Sequence, residues 1–245
     1  MNSTIHKETQ TTIALRQTKD KLFQNAHVFI SLMIFQVIGY LISLQAISPG
    51  FETEYFRFFL QGLNPFLIYF FTILWIVIQG WSFAGNIGHQ EYPGSNNFTT
   101  YFSDIAVLEI YALIGALTIF LSVPFLQVLA VFFDHSPIMH PDRLFISAFF
   151  YLLICGAGAY TVGIFRTRYE SRFFLGVLLT VALVTRASVV AAQMRGLDDP
   201  LGLEMVAGFY LNEVRFIVWL LKVVVTVAAF YGISWLGIRN MEVNR

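Results

Sequence analysis

Residues 105–133 read IAVLEIYALIGALTIFLSVPFLQVLAVFF, and this stretch decides the fold. Its 29 residues carry a single charge, Glu109. A spanning helix needs about 20 apolar residues, so this run is long enough to cross a bilayer with tilt or a kink. Pro124 gives a physical reason for a kink.

The rest of the chain agrees with that stretch. Hydrophobic residues make up 57% of it and charged residues 12%, against roughly 25% charged in a soluble domain. A soluble protein this apolar lacks the polar groups to cover its surface. Its 26 phenylalanines suit a surface that faces lipid. Five more apolar runs of spanning length lie at 26–47, 65–83, 144–165, 173–194 and 216–238. Alternation of period two is absent, which argues against a transmembrane β-barrel. The sequence therefore predicts an all-α polytopic membrane protein: a cytoplasmic amphipathic segment at 1–25, a domain of six transmembrane helices at 26–238, and a cytoplasmic tail at 239–245. The first 25 residues are too polar for a cleavable signal peptide, so the first span serves as the targeting signal. The lone cysteine, Cys155, excludes an intramolecular disulfide and reads as a packing residue.

Charge sets the orientation. With the N-terminus inside, the inner segments hold Lys7, Arg16, Lys19, Lys21, Arg166, Arg168, Arg172, Arg239 and Arg245. The outer segments hold only Arg57, Arg143, Arg195 and Arg215. This bias predicts both termini in the cytoplasm. The connection 166–172, with three arginines in seven residues, is its densest part.

Three connections are more than linkers. Residues 11–24 read as a helix with Ile13, Leu15, Leu22 and Phe23 among basic residues, suited to the inner leaflet and its anionic head groups; a solvated tail is the alternative. The inner segment 84–104 breaks at Gly85, Gly88, Pro93 and Gly94, then offers Phe98, Tyr101 and Phe102 on one side of a short amphipathic helix lying along the membrane. An ordinary cytoplasmic loop is the alternative there. The outer segment 195–215 is too short and polar to span and reads as a re-entrant helical hairpin or a plain outer loop. Small residues four apart, at Cys155, Ala159 and Gly163 and again at Ala228 and Gly232, predict close helix packing. Gln36, Gln79 and Gln127 offer interhelical hydrogen bonds.

Motifs of chemistry are sparse. No G-x-x-x-x-G-K-[ST] and no H-E-x-x-H occurs, so the chain carries no P-loop or zincin signature and does not read as an enzyme. The stretch 134–142 crowds Asp134, His135, His140 and Asp142, residue types that flexible loops also carry, and no metal or other cofactor is expected. No span carries paired histidines for haem, and nothing points to nucleic acid. Charges within spans are functional candidates by default. They are Glu109 in the third span, Arg186 midway along the fifth, and Lys222 in the outer half of the sixth.

The order of parts resembles the permease subunit of ABC transporters of the type-2 exporter class. An amphipathic N-terminal helix precedes two spans, a coupling-type inner segment, three spans, an outer helical hairpin and a last span. Locally, Glu91-Tyr92-Pro93-Gly94-Ser95 followed by 98–104 looks like the family's glutamate, glycine, hydroxyl residue and coupling helix. Tyr231-Gly232-Ile233-Ser234-Trp235-Leu236-Gly237-Ile238-Arg239 looks like its last span. The coupling segment departs from the usual pattern: it carries no Lys or Arg, and Tyr101-Phe102-Ser103 stands where a proline-containing turn is common. The resemblance implies two permease copies in a prokaryotic cytoplasmic membrane. Each would bind a separate ATP-binding subunit through Glu91, Gly94, Ser95, Phe98, Tyr101 and Phe102, and the pair would move an amphipathic cargo such as a lipid or peptide. Two other readings compete. An ion-coupled carrier or channel would use Glu109, Arg186 and Lys222, although repeated halves and broken helices are not visible. A membrane-embedded enzyme would use the 134–142 loop and Arg186.

Overall fold

The computed structural model describes residues 9–24, 26–45, 66–85, 96–132, 144–194 and 215–239, with the backbone course alone at 24, 26, 43–45, 66, 126–127, 129–132, 144, 170–175 and 177–194. These residues form α1 (Gln10–Gln24), α2 (Ala26–Gln45), α3 (Phe66–Gly85), α4 (Asn97–Phe132), α5 (Leu144–Met194) and α6 (Phe216–Ile238), with no strand among them. Leu67–Gly85, Asn97–Phe125, Phe145–Tyr169 and Phe216–Ile238 are each long and apolar enough to cross a membrane. α1 and α2 meet at a 52° bend and satisfy that criterion only as one broken pair. The chain is an all-helical membrane protein of several passes.

Cross-helix contacts fix the direction of each helix. α2 and α3 run antiparallel: Trp75 donates its indole N–H to the Ser31 hydroxyl at 3.0 Å, and Gly39 lies against the Ile68 backbone. α4 runs with α2, since Phe29 meets Tyr111 edge to face and Tyr40 meets Phe125. The first half of α5 runs against α4, with Phe145 beside Phe120 and the Tyr160 hydroxyl on Asp104. α6 runs in the same direction as that half. The Trp219 indole donates to the Tyr151 hydroxyl at one end, and Arg168 donates to the Gly237 carbonyl at the other. Lys21, Arg166, Arg168 and Arg239 therefore gather at one end of the bundle, called here the basic end.

Tight α3–α5 packing explains the small-residue stripe on α5. A Cβ on Gly80 would meet the Gly156 carbonyl oxygen at 2.6 Å, and one on Gly163 would meet the Ala84 methyl at 2.5 Å. In lipid, helices gain little from the hydrophobic effect, so this close backbone approach is what holds them. The matching stripe on α6 behaves differently. Ala228 and Gly232 face out of the described bundle, and a Cβ on Gly232 would meet nothing within 4 Å. In α6 only 11% of the best apolar window is buried, against 39–50% in the other three spans. Gln36 meets its expectation: its amide donates to the Thr72 and Thr118 hydroxyls at 3.2 and 2.7 Å and ties α2, α3 and α4 together.

Two expectations about helix boundaries are corrected. The coupling-type helix at 98–104 is not a separate element; it forms the first two turns of α4. Asn96 caps that start, with its side-chain oxygen accepting the Thr99 N–H while the Thr99 hydroxyl accepts the Asn96 N–H. No glycine or proline follows until Gly115, so nothing stops the helix from running into the span. The second correction concerns 166–172, which is helical throughout and joins the fourth and fifth apolar runs into a helix of 51 residues. Polarity alone does not end a helix; glycine and proline do, and 166–172 contains neither.

Candidate functional site

The richest polar chemistry lies at the basic end, where α1, α4, α5 and α6 meet. Asp104, in the second turn of α4, has a side chain 3% exposed and pairs with the Lys21 ammonium from α1. Lys21 also donates to the Ser103 hydroxyl at 2.7 Å, and the Tyr160 hydroxyl of α5 donates to the other Asp104 oxygen at 3.1 Å. One buried carboxylate thus ties three helices. Such a charge is tolerated because each oxygen has a donor; breaking a buried pair typically costs about 3–5 kcal/mol.

An aromatic layer continues from this cluster. Tyr101 is buried, donates its hydroxyl to the Tyr231 carbonyl at 2.6 Å and packs against Trp235 and Tyr160. Phe98 and Phe102 pack against each other at 4.4 Å between ring centroids, with their planes tilted by 52°, and remain substantially exposed. Phe98 also meets Trp235 edge to face. The C-terminus of α6 is closed by Arg168, which donates to the Leu236 and Gly237 carbonyls, and by the Asn97 amide on the Ile238 carbonyl. A cation at this position also complements the helix dipole. Arg166 lies over the Trp81 ring at 4.9 Å.

The residues singled out from sequence are only partly assembled here. Phe98 and Phe102 form an exposed pair, whereas Tyr101 is turned inward and has no exposed face to offer a partner. Glu91, Gly94 and Ser95 lie outside the described residues, as do the loop 134–142 and the outer segment up to 214. Glu109 is exposed on α4. Lys222 is half-buried on α6, and its carbonyl accepts the Thr226 hydroxyl. Arg186 sits on the α5 backbone, but its side chain lies outside the described residues.

The Lys21–Asp104–Tyr160 cluster is the feature that sequence reading missed. Asp104 stands just before a long apolar run and Lys21 in a basic segment, so each reads as an interfacial charge. Their 83-residue separation carries no local signal that they meet. No family model matches the chain, and neither the curated proteins nor the solved structures contain a significant match to it.

Proposed function

We propose that this chain is the membrane-spanning permease subunit of an ABC exporter of the type-2 class, working as a pair of copies with a separate ATP-binding subunit on each. The observation that carries the reading is the exposed Phe98–Phe102 pair at the basic end. These rings stand on the first turns of α4, which are continuous with its span and fastened to α1 by the Lys21–Asp104 pair. A partner gripping them would have a rigid lever into the bilayer. Only the aromatic part of the expected coupling set supports this contact, because Tyr101 faces the core.

The proposed topology has six crossings with both termini in the cytoplasm. Its support is directional. The first half of α5 and all of α6 run the same way, so the chain between them must return to the far end before Arg215. Residues 173–194 form the only apolar run in that interval, and a crossing by them requires α5 to turn back within 166–172, where the structure has unbroken helix; 195–214 carry four carboxylates, which the bilayer core disfavours. The basic end faces the cytoplasm by the positive-inside rule. The cargo is amphipathic, moved along an apolar surface.

A second reading, an ion-coupled carrier, draws on one observation: Glu109 is a carboxylate exposed within an apolar span. The test separating the two is retention of a partner. A tagged permease extracted in mild detergent should hold a P-loop ATPase, and Phe98→Asp with Phe102→Asp should release it while the helical content is unchanged. Retention unaffected by these changes refutes the contact, and transport driven by an ion gradient without ATP favours the carrier.

A further inference from the structure

α1 has its polar and apolar faces the wrong way round for a helix in water. Its two buried residues are polar: Gln17, only 2% exposed, and Thr18, whose hydroxyl donates to the Ala14 carbonyl. Lys21, one turn further on, reaches inward to Ser103 and Asp104 of α4. The most exposed large side chains of α1 are apolar, Leu15 at 66% and Phe23 at 74%. Leu22, which the sequence groups with them, packs instead against the core. A buried glutamine opposite an outward leucine and phenylalanine is informative, because water favours neither.

Thr12, Leu15, Arg16, Lys19 and Phe23 share the outward face, within an arc of about 100°. That arc holds two cations and no carboxylate. Leu15, Lys19 and Phe23 follow one another at a spacing of four, so a cation stands between two apolar anchors. The inclination of the helix suits a shallow layer. α1 leans 52° from α2; with α2 along the membrane normal, the eight residues from Leu15 to Phe23 climb about 7 Å, against about 12 Å for an upright helix. The head-group layer is roughly 5–7 Å deep on each side of the bilayer, so both anchors and the cations between them lie within its reach. Lysine and arginine stems lie along apolar surface and set their charge among phosphates.

We propose that α1 is a clasp gripped by acidic phospholipid. Leu15 and Phe23 enter the acyl boundary, and Arg16 and Lys19 hold negatively charged head groups. On the opposite face Lys21 holds Asp104, so acidic lipid tightens the basic end of the bundle from outside it. This role does not depend on an ATP-binding partner and is the same in an ion-coupled carrier.

The test compares the full chain in nanodiscs of phosphatidylcholine alone and of phosphatidylcholine mixed with phosphatidylglycerol. Acidic lipid should raise the thermal midpoint by about 4–8 °C, or 2–4 °C for each of the two cations. Salt at roughly 1 M, where the screening length is about 3 Å, should erase the rise. Arg16→Gln with Lys19→Gln, both at exposed positions, should also erase it while leaving the midpoint in phosphatidylcholine nearly unchanged. In a Cys155→Ser background, a fluorophore on Phe23→Cys should be quenched by lipids with brominated acyl chains. No rise with acidic lipid, or a rise that survives salt or the double variant, overturns the head-group contact. A Phe23→Cys probe that reports water overturns the clasp. A probe that reports an apolar site without quenching assigns the face to another protein surface and overturns it as well.

Discussion

Lys21 of α1 pairs with Asp104 of α4, and the two residues lie 83 positions apart. The pair closes the basic end of the bundle by drawing a polar N-terminal helix against the start of a transmembrane one. Because Tyr160 donates to the same carboxylate, the charge is held by three helices at once. Asp104→Asn and Lys21→Met should each destabilise the protein by about 3–5 kcal/mol, because each leaves a buried partner unmatched. Replacing both with apolar residues of similar volume should recover most of that loss. Thermal unfolding in one detergent, with all variants at equal concentration, reads the difference. Losses that simply add in the double variant would show that the two residues are not coupled.

Glycine positions divide into those that carry close contacts and those that do not. Gly80→Ala should cost about 1–3 kcal/mol, because the new methyl meets the Gly156 carbonyl oxygen at 2.6 Å. Gly163→Ala should do the same against Ala84. By contrast, Gly232→Ala adds a methyl where nothing lies within 4 Å in the described structure. It tests the exposed side of α6: a loss at Gly232 marks a neighbour packed there, and neutrality marks lipid.

Gln36 ties three helices at little net gain. The Thr72 and Thr118 hydroxyls already donate to the Ile68 and Gly115 carbonyls of their own helices, at 2.7 and 2.8 Å. Removing Gln36 therefore strands no hydroxyl proton. Gln36→Leu should cost about 0.6 kcal/mol, the usual scale for interhelical hydrogen bonds in membranes. A thermal shift beyond about 5 °C would show that the amide does more than these two bonds.

Much of the fold was legible because apolar length is a strong signal. The bounds of α2 and α3 follow from runs of about 20 uncharged residues, and α6 begins and ends within its predicted run. The close-packing stripe at Cys155, Ala159 and Gly163 was legible for the same reason: spacing by four puts small residues on one helix face. Two features were not. Charge density at 166–172 suggested a loop, but arginine, tyrosine and glutamate are compatible with helix. The start of α4 was set by the Asn96–Thr99 cap, a hydrogen-bond exchange that composition does not reveal. At the candidate site, Phe98 and Phe102 lie on the exposed face that their spacing implies. Tyr101, read with them, is one position before Phe102 and turns about 100° away along the helix, into the core.

The most direct test of the account is the native mass of the complex gently extracted from its own membrane. The account predicts two copies of this chain with two P-loop ATPase subunits, and loss of those subunits when Phe98 and Phe102 are both replaced by Asp. A chain that comes out folded with no ATPase bound, and whose transport continues without ATP, would contradict it.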